Sequence, residues 1–219
     1  RSLYRRIDEF VESERGDLIQ LCANLVKSRS VNPPGETVEA AQVVQRYFDK
    51  SGIGYELLSN VIEKTNLVSQ VFGEGHGRHL VFNGHLDTIG AGDENQWTVP
   101  IFELTQQSGR LYGIGVGNMK GAVAAMAIAH VFLARNTSLW TGQISFTAVA
   151  DETIFGSDGA EYLLRVRPDL VGDAVICGEG PGQMNLAIAE KGLLWIRIEA
   201  TAEVGQGMLS TKGISATSR

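Results

Sequence analysis

The stretch HLVFNGHLD, residues 79–87, decides how the rest of this chain is read. Its first part is a short apolar run of the kind that forms a buried strand, and it breaks at Gly84 into His85 and Asp87. In an extended segment, residues two apart face the same way, so His85 and Asp87 share one side of the chain. An aspartate there can orient or polarise an imidazole that binds a metal. Taken alone, an H-x-D pair is more often structural.

Two other segments repeat this layout. ISFTAVA (144–150) is a continuous apolar run that predicts a central strand, and Asp151 and Glu152 follow it. DAVICGE (173–179) predicts a further strand and ends on Glu179. In open α/β sheets, active residues sit just past the carboxyl ends of strands. The convergence of the three segments therefore says more than any one of them. A sheltered carboxylate at Glu152 can serve as a general base on water activated by a metal, or Asp151 and Glu152 can lie in a solvated loop while Ser157 or Asp158 caps the next helix. Glu179 sits among glycines that permit close backbone approach, or is an ordinary turn carboxylate.

Outward from these segments, elements alternate. Residues 3–28 carry Leu18, Leu21, Cys22, Leu25 and Val26 at helical spacing. The loop SVNPPGE (30–36) precedes a helix from Thr37 to about Lys50, stopped by Gly52. NLVSQVF (66–72) predicts a strand, and FELTQQSGRLY (102–112) a hairpin. Met119 to Arg135 reads as a buried Ala-rich helix, DGAEYLLRV as a short helix stopped by Pro168, and residues 186–200 as two strands around Lys191 and Gly192. This alternation predicts an α/β fold, a three-layer sandwich with a mostly parallel central sheet.

Composition limits the function classes. The chain has 219 residues, 43% of them hydrophobic, with a net charge of -6. Lys and Arg form no basic stripe, which argues against nucleic acid. No apolar run approaches the roughly 20 residues of a membrane span, and RSLYRRIDEF (1–10) lacks the apolar centre of a signal peptide. Cys22 and Cys177 stand far apart in apolar settings and predict buried free thiols, in keeping with a reducing, cytoplasmic compartment. GIGVGN (113–118) lacks the spacing of a dinucleotide fingerprint, no G-x-S-x-G is present, and His76, His79 and His130 fall away from the predicted strand ends.

The ordered segments GHLDT, LYGIGVGNMKGAVAAM, ADETIFGSDGAEYLL, CGEGPG and AEKGLLWIRIEATAEVGQG resemble the M20 metallopeptidase family over nearly the whole chain. That family includes acetylornithine deacetylase, succinyl-diaminopimelate desuccinylase and glutamate carboxypeptidase. The resemblance implies a zinc-peptidase-like catalytic domain over residues 1–191 and, over 192–219, the start of a smaller α+β lid domain through which members often dimerise. About half of a typical member would lie beyond these residues. It makes His85 and Glu179 metal ligands, Asp87 the residue that orients His85, and Glu152 the general base. The chain departs from the family pattern at three positions: Asn118 replaces a bridging aspartate, Thr153 a second glutamate ligand, and Gln206 a lid histidine that touches substrate. No histidine follows His130, so the remaining histidine ligand is not among these residues.

Two divalent ions about 3.5–4 Å apart repel by on the order of 20 kcal/mol at an effective dielectric of 20, and carboxylates normally offset that. Asn118 and Thr153 remove two of them, so one ion (zinc, or manganese or cobalt) is expected, with the Asn118 amide oxygen as a weak ligand. The implied activity is hydrolysis of an amide or other C–N bond in a small molecule such as an N-acyl amino acid or short peptide, with Gln206 near the substrate. The alternatives are a catalytically inactive homologue that binds a ligand or partner, and an ordinary two-metal enzyme altered at these positions.

Overall fold

The computed structural model describes residues 2–180 together with residues 188 and 199. Helix α1 (Leu3–Lys27) starts at Ser2, whose side chain accepts from the Arg5 amide, and buries Leu21, Cys22, Leu25 and Val26. Helix α2 (Val38–Ser51) buries Ala40, Ala41, Val43, Val44, Tyr47 and Phe48, and ends at Gly52 in the left-handed conformation (φ 71°, ψ 29°). Strands β1 (Glu56–Ser59), β2 (Thr65–Phe72) and β3 (His79–His85) follow. The predicted hairpin is β4 (Thr105–Gln107) against β5 (Arg110–Tyr112). The Ala-rich helix α3 spans Gly121–Ala134, and β6 (Gln143–Val149), α4 (Ala160–Val166) and β7 (Ala174–Cys177) complete the set. Of these, β1 has no counterpart in the sequence reading. The predicted strands over 186–200 lie outside the described residues.

The five-stranded sheet has the order β1-β2-β6-β3-β7. Pairs β3–β6 and β3–β7 are parallel, whereas β1–β2 and β2–β6 are antiparallel. The sheet is therefore mixed rather than mostly parallel. Chain length between strands explains the difference. Only residues 60–64 join β1 to β2, and only 73–78 separate β2 from β3. A parallel crossover needs about a dozen residues or more, so these neighbours in sequence must run in opposite senses. The parallel half comes from strands that a helix separates.

Alternation along the strands gives the sheet two apolar faces. Leu67, Phe82, Ile144, Phe146 and Ala148 join the cluster formed with α1, α2 and α3. Val68 and Val149, each one residue on, pack with Leu163 of α4 and Leu170. Contrary to the sequence expectation, Val116–Ala134 is long and apolar enough by composition to cross a membrane, but half of it is buried in the fold, as suits a core helix. Its backbone also departs from helical geometry at Asn118 and Met119. The two thiols divide. Cys22 is buried, and burial pushes its pKa up to about 11, partly countered by Lys120. Cys177 is exposed, because β7 is the end strand of the described sheet and its residues are open to solvent.

The α1–α3 face also encloses a titratable group. His130 is fully buried between the Phe48 and Phe146 rings; its Nε2 pairs with Ser69 Oγ at 2.9 Å, and Nδ1 has no partner among the described residues. Burial pulls its pKa down from 6.5 to about 4. Between those values the unfolded chain binds a proton that the folded chain refuses, so stability is present above pH 6.5 and is lost as pH falls toward 4. A gap of this size is worth about 3 kcal/mol. We expect His130→Leu to flatten that part of the acid dependence of the urea midpoint between pH 7 and 4; an unchanged slope would contradict the assignment.

Candidate active site

Parallel strands β3 and β6, paired through His85↔Val149, deliver the key residues side by side. His85 closes β3 and is 2% exposed. Its Nδ1 hydrogen donates to the main-chain oxygen of Asp87 at 2.8 Å, because a carbonyl can only accept. That leaves Nε2 facing the site. Around it stand Asn118 Oδ1 at 2.6 Å, Glu179 Oε2 at 3.3 Å and Glu152 Oε2 at 3.5 Å. A neutral imidazole would present a lone pair to this ring of oxygens, so the arrangement calls for positive charge, either a proton or a cation. In agreement, the His85 pKa rises to about 9: burial lowers it, but the Asp87 hydrogen bond and the Glu152 and Asp87 charges outweigh burial.

Asp87 lies beneath, with no exposed surface. Its Oδ2 accepts from Asn32 Nδ2 (2.9 Å), Thr153 N (3.0 Å) and Thr153 Oγ1 (2.7 Å), and its Oδ1 accepts from Glu152 N (3.2 Å). Oδ1 also stands 3.6 Å from His85 Nδ1. Burial alone would raise this carboxyl, but the hydrogen bonds from His85, Asn32 and Thr153 hold it well below the usual carboxylate range. The carboxylate thus anchors the turn after β6, while the Asp87 carbonyl holds the ring.

That turn separates the two acids that the sequence placed together. Asp151 is buried with a positive φ of 63° and forms an ion pair with Lys64; Glu152 points to His85 and its side chain is 46% exposed. Asp158 lies 3.8 Å from the same ammonium. The helix after the turn begins at Gly159 with no side-chain cap, so neither Ser157 nor Asp158 plays that part. Asn118 reaches His85 from the irregular turn before α3, which packs tightly on the end of β7: a Cβ on Gly178 would lie 2.4 Å from Ala122 Cβ. Lys120, two residues on, is fully buried, donates to Ser28 O at 2.8 Å, and has its pKa pulled down to about 8 by burial.

The structure thus brings together His85, Asp87, Asn118, Glu152 and Glu179. Gln206 lies outside the described residues. Asn32 and Lys64 were invisible to motif reading; they come from loops far away in sequence, and only the juxtaposition of strand ends gives them a role. The groups able to hold one metal ion are His85 Nε2, the Glu179 carboxylate and the Asn118 amide oxygen. Among the described residues no group of three or more His, Cys, Asp or Glu is disposed to hold a metal, since the third donor here is an amide. Thr153 spends both its donors, the main-chain amide and the hydroxyl, on Asp87.

Comparison with known proteins follows the same lines. The family model described as Peptidase family M20/M25/M40 matches residues 81–206. A probable succinyl-diaminopimelate desuccinylase of Staphylococcus aureus (strain Mu50) is 32% identical over 196 residues, covering 89% of this chain and 46% of the relative. The succinyl-diaminopimelate desuccinylase of Wigglesworthia glossinidia brevipalpis is 28% identical over 173 residues, covering 78% of this chain and 44% of its own length. The chain spans about half the length of the curated relatives it matches. In fold, human carnosine dipeptidase 1 superposes with a TM-score of 0.65 at 18% identity, covering 82% of this chain and 42% of that one.

The Lys64–Asp151 pair holds the Glu152 turn. Removing one partner of a buried pair strands the other charge and typically costs about 3 kcal/mol or more. We expect Lys64→Met to destabilise by that order in urea unfolding, and Asp151→Asn in the same background to recover more than half; equal losses in the single and double variants would contradict the pairing.

Proposed function

The chain belongs to peptidase family M20/M25/M40, and from that premise we propose that it carries the metal-dependent catalytic part of a hydrolase that cleaves an amide or other C–N bond of a small molecule. The observation that carries the reading is the ring of oxygens from Asn118, Glu179 and Glu152 about His85 Nε2. One divalent ion, zinc or alternatively manganese or cobalt, fits this donor set through His85, Glu179 and, more weakly, Asn118. A bound ion would act there as a Lewis acid on the scissile carbonyl and its attacking water. Glu152 Oε2 takes the proton of that water and returns it to the leaving nitrogen. Its half-open position suits the task, because the carboxylate must meet both solvent and substrate. Asp87 keeps the base in place through the Glu152 main-chain amide, and keeps the ligand ring in place through its carbonyl.

A single ion follows from charge. Two ions need bridging and terminal carboxylates, and Asn118 and Thr153 supply none. The relatives named for desuccinylation and dipeptide cleavage favour an N-acyl amino acid or short peptide as substrate. The full protein is read as a three-layer catalytic sandwich over residues 1–191, with a lid from residue 192 that carries Gln206 toward the substrate and supports homodimerisation in the cytoplasm. The second reading, a catalytically inactive homologue that binds a ligand or partner, is favoured by Thr153, whose hydroxyl is committed to Asp87.

Metal content separates these readings. Elemental analysis of the intact protein after zinc loading and gel filtration is expected to give about one ion per chain. None would favour the inactive homologue, and two would overturn the single-ion site. Glu152→Ala is expected to lower kcat by about 10²–10⁴-fold while metal content stays the same; unchanged turnover would remove Glu152 from the mechanism.

A further inference from the structure

The loop between α1 and α2 supplies Asn32, a residue that no motif singles out. Its side chain is 4% exposed. Nδ2 donates to Asp87 Oδ2 at 2.9 Å and to Asp151 Oδ1 at 3.2 Å, while Oδ1 has no hydrogen-bond partner among the described residues. An amide nitrogen carries two hydrogens, one for each carboxylate. The flipped amide would set its oxygen against both negative groups. Charge therefore fixes the orientation, even though it strands a buried acceptor. The loop backs this geometry: Asn32 N donates to Thr88 O at 2.8 Å, and a Cβ on Gly35 (φ +78°) would lie 2.5 Å from Asn32 Cγ.

Asp87 and Asp151 belong to the turns that follow β3 and β6, neighbouring parallel strands. Without a donor between them, two buried carboxylates would face each other where the strands end. Asp87 could relieve that only by turning, and turning would release the Glu152 and Thr153 donors and the seat of the His85 ring. Asp151 is itself held from the far side by Lys64. We propose that Asn32 is a positioning residue: its amide bridges Asp87 and Asp151, locks the two strand-end turns together, and so fixes His85 and Glu152 relative to one another. What the site does with that geometry rests on the hydrolase reading; the lock itself does not.

The test uses the intact protein, first free of metal, as wild type and as Asn32→Asp, Asn32→Ala and Asn32→Ser. The His85 ring-nitrogen chemical shifts are read by long-range 1H–15N correlation. Asn32→Asp keeps the shape but removes both donors, so it is expected to move these signals more than Asn32→Ala; Asn32→Ser keeps one donor and is expected to move them least. Calorimetric zinc affinity is expected to drop by about 10–100-fold in the Asp and Ala variants, the usual effect of losing an outer-shell partner. A residue that only packs the loop would give the reverse order, with the isosteric Asp variant nearly silent. His85 signals unmoved in folded Asn32→Asp and Asn32→Ala overturn the lock, whatever the metal result. Wild type that binds no zinc overturns the metal reading and leaves the shift comparison standing. If the Asp and Ala variants do not fold, Asn32→Ala is placed in the Lys64→Met/Asp151→Asn background, which removes the facing charge without stranding the ammonium. His85 signals displaced from those of that background are then expected, because Asp87 still lacks its donor; signals at the background positions overturn the proposal.

Discussion

A negative charge with no exposed surface must be met by donors, and Asp87 is where this fold meets that demand. Its two oxygens accept from Asn32, from the Glu152 and Thr153 amides, and from the Thr153 hydroxyl. These donors come from the loop between α1 and α2 and from the turn after β6, while Asp87 itself follows β3. One buried carboxylate therefore ties three separate parts of the chain into a single rigid floor. Its strong acidity is a measure of that anchoring: the hydrogen bonds outweigh a desolvation that would otherwise favour the neutral acid.

Above the floor the chemistry is governed by what His85 Nε2 faces. With Nδ1 committed to a carbonyl, the ring meets oxygens from Asn118, Glu179 and Glu152. Positive charge at the centre suits such a cluster. Burial opposes a proton on His85, but the Asp87 hydrogen bond and the Glu152 and Asp87 charges outweigh it. Asn118 brings a neutral amide to this centre, and Thr153 turns inward, its hydroxyl donating to Asp87 and adding to the floor.

The segments most legible in the sequence were those whose role is set by local pattern. The amphipathic spacing of α1 and α2, the continuous apolar run of β6 and the hairpin of β4 and β5 all follow from side-chain periodicity, and each lies close to its expected bounds. Strand direction was misjudged because apolar runs look alike in either sense. The short connections at 60–64 and 73–78 held the missing information, since they exclude a crossover. Cys177 was misjudged for a related reason: an apolar run shows that a strand exists, but not that it is the end strand among the described residues, with its side chains open.

By itself, then, the sequence determined that His85, Asp87, Glu152 and Glu179 stand after apolar runs, because residue type and periodicity are local properties. Their candidate roles, and the departures at Asn118 and Thr153, came from the likeness to the family. Only the tertiary structure decided how Asp151 and Glu152 divide their work, one buried against Lys64 and the other facing His85. Only the tertiary structure revealed Asn32, whose partners lie 55 and 119 residues away. Hydrogen-bond donors for a buried charge are chosen by proximity in space, and no local pattern in the chain records where a distant loop will come to rest.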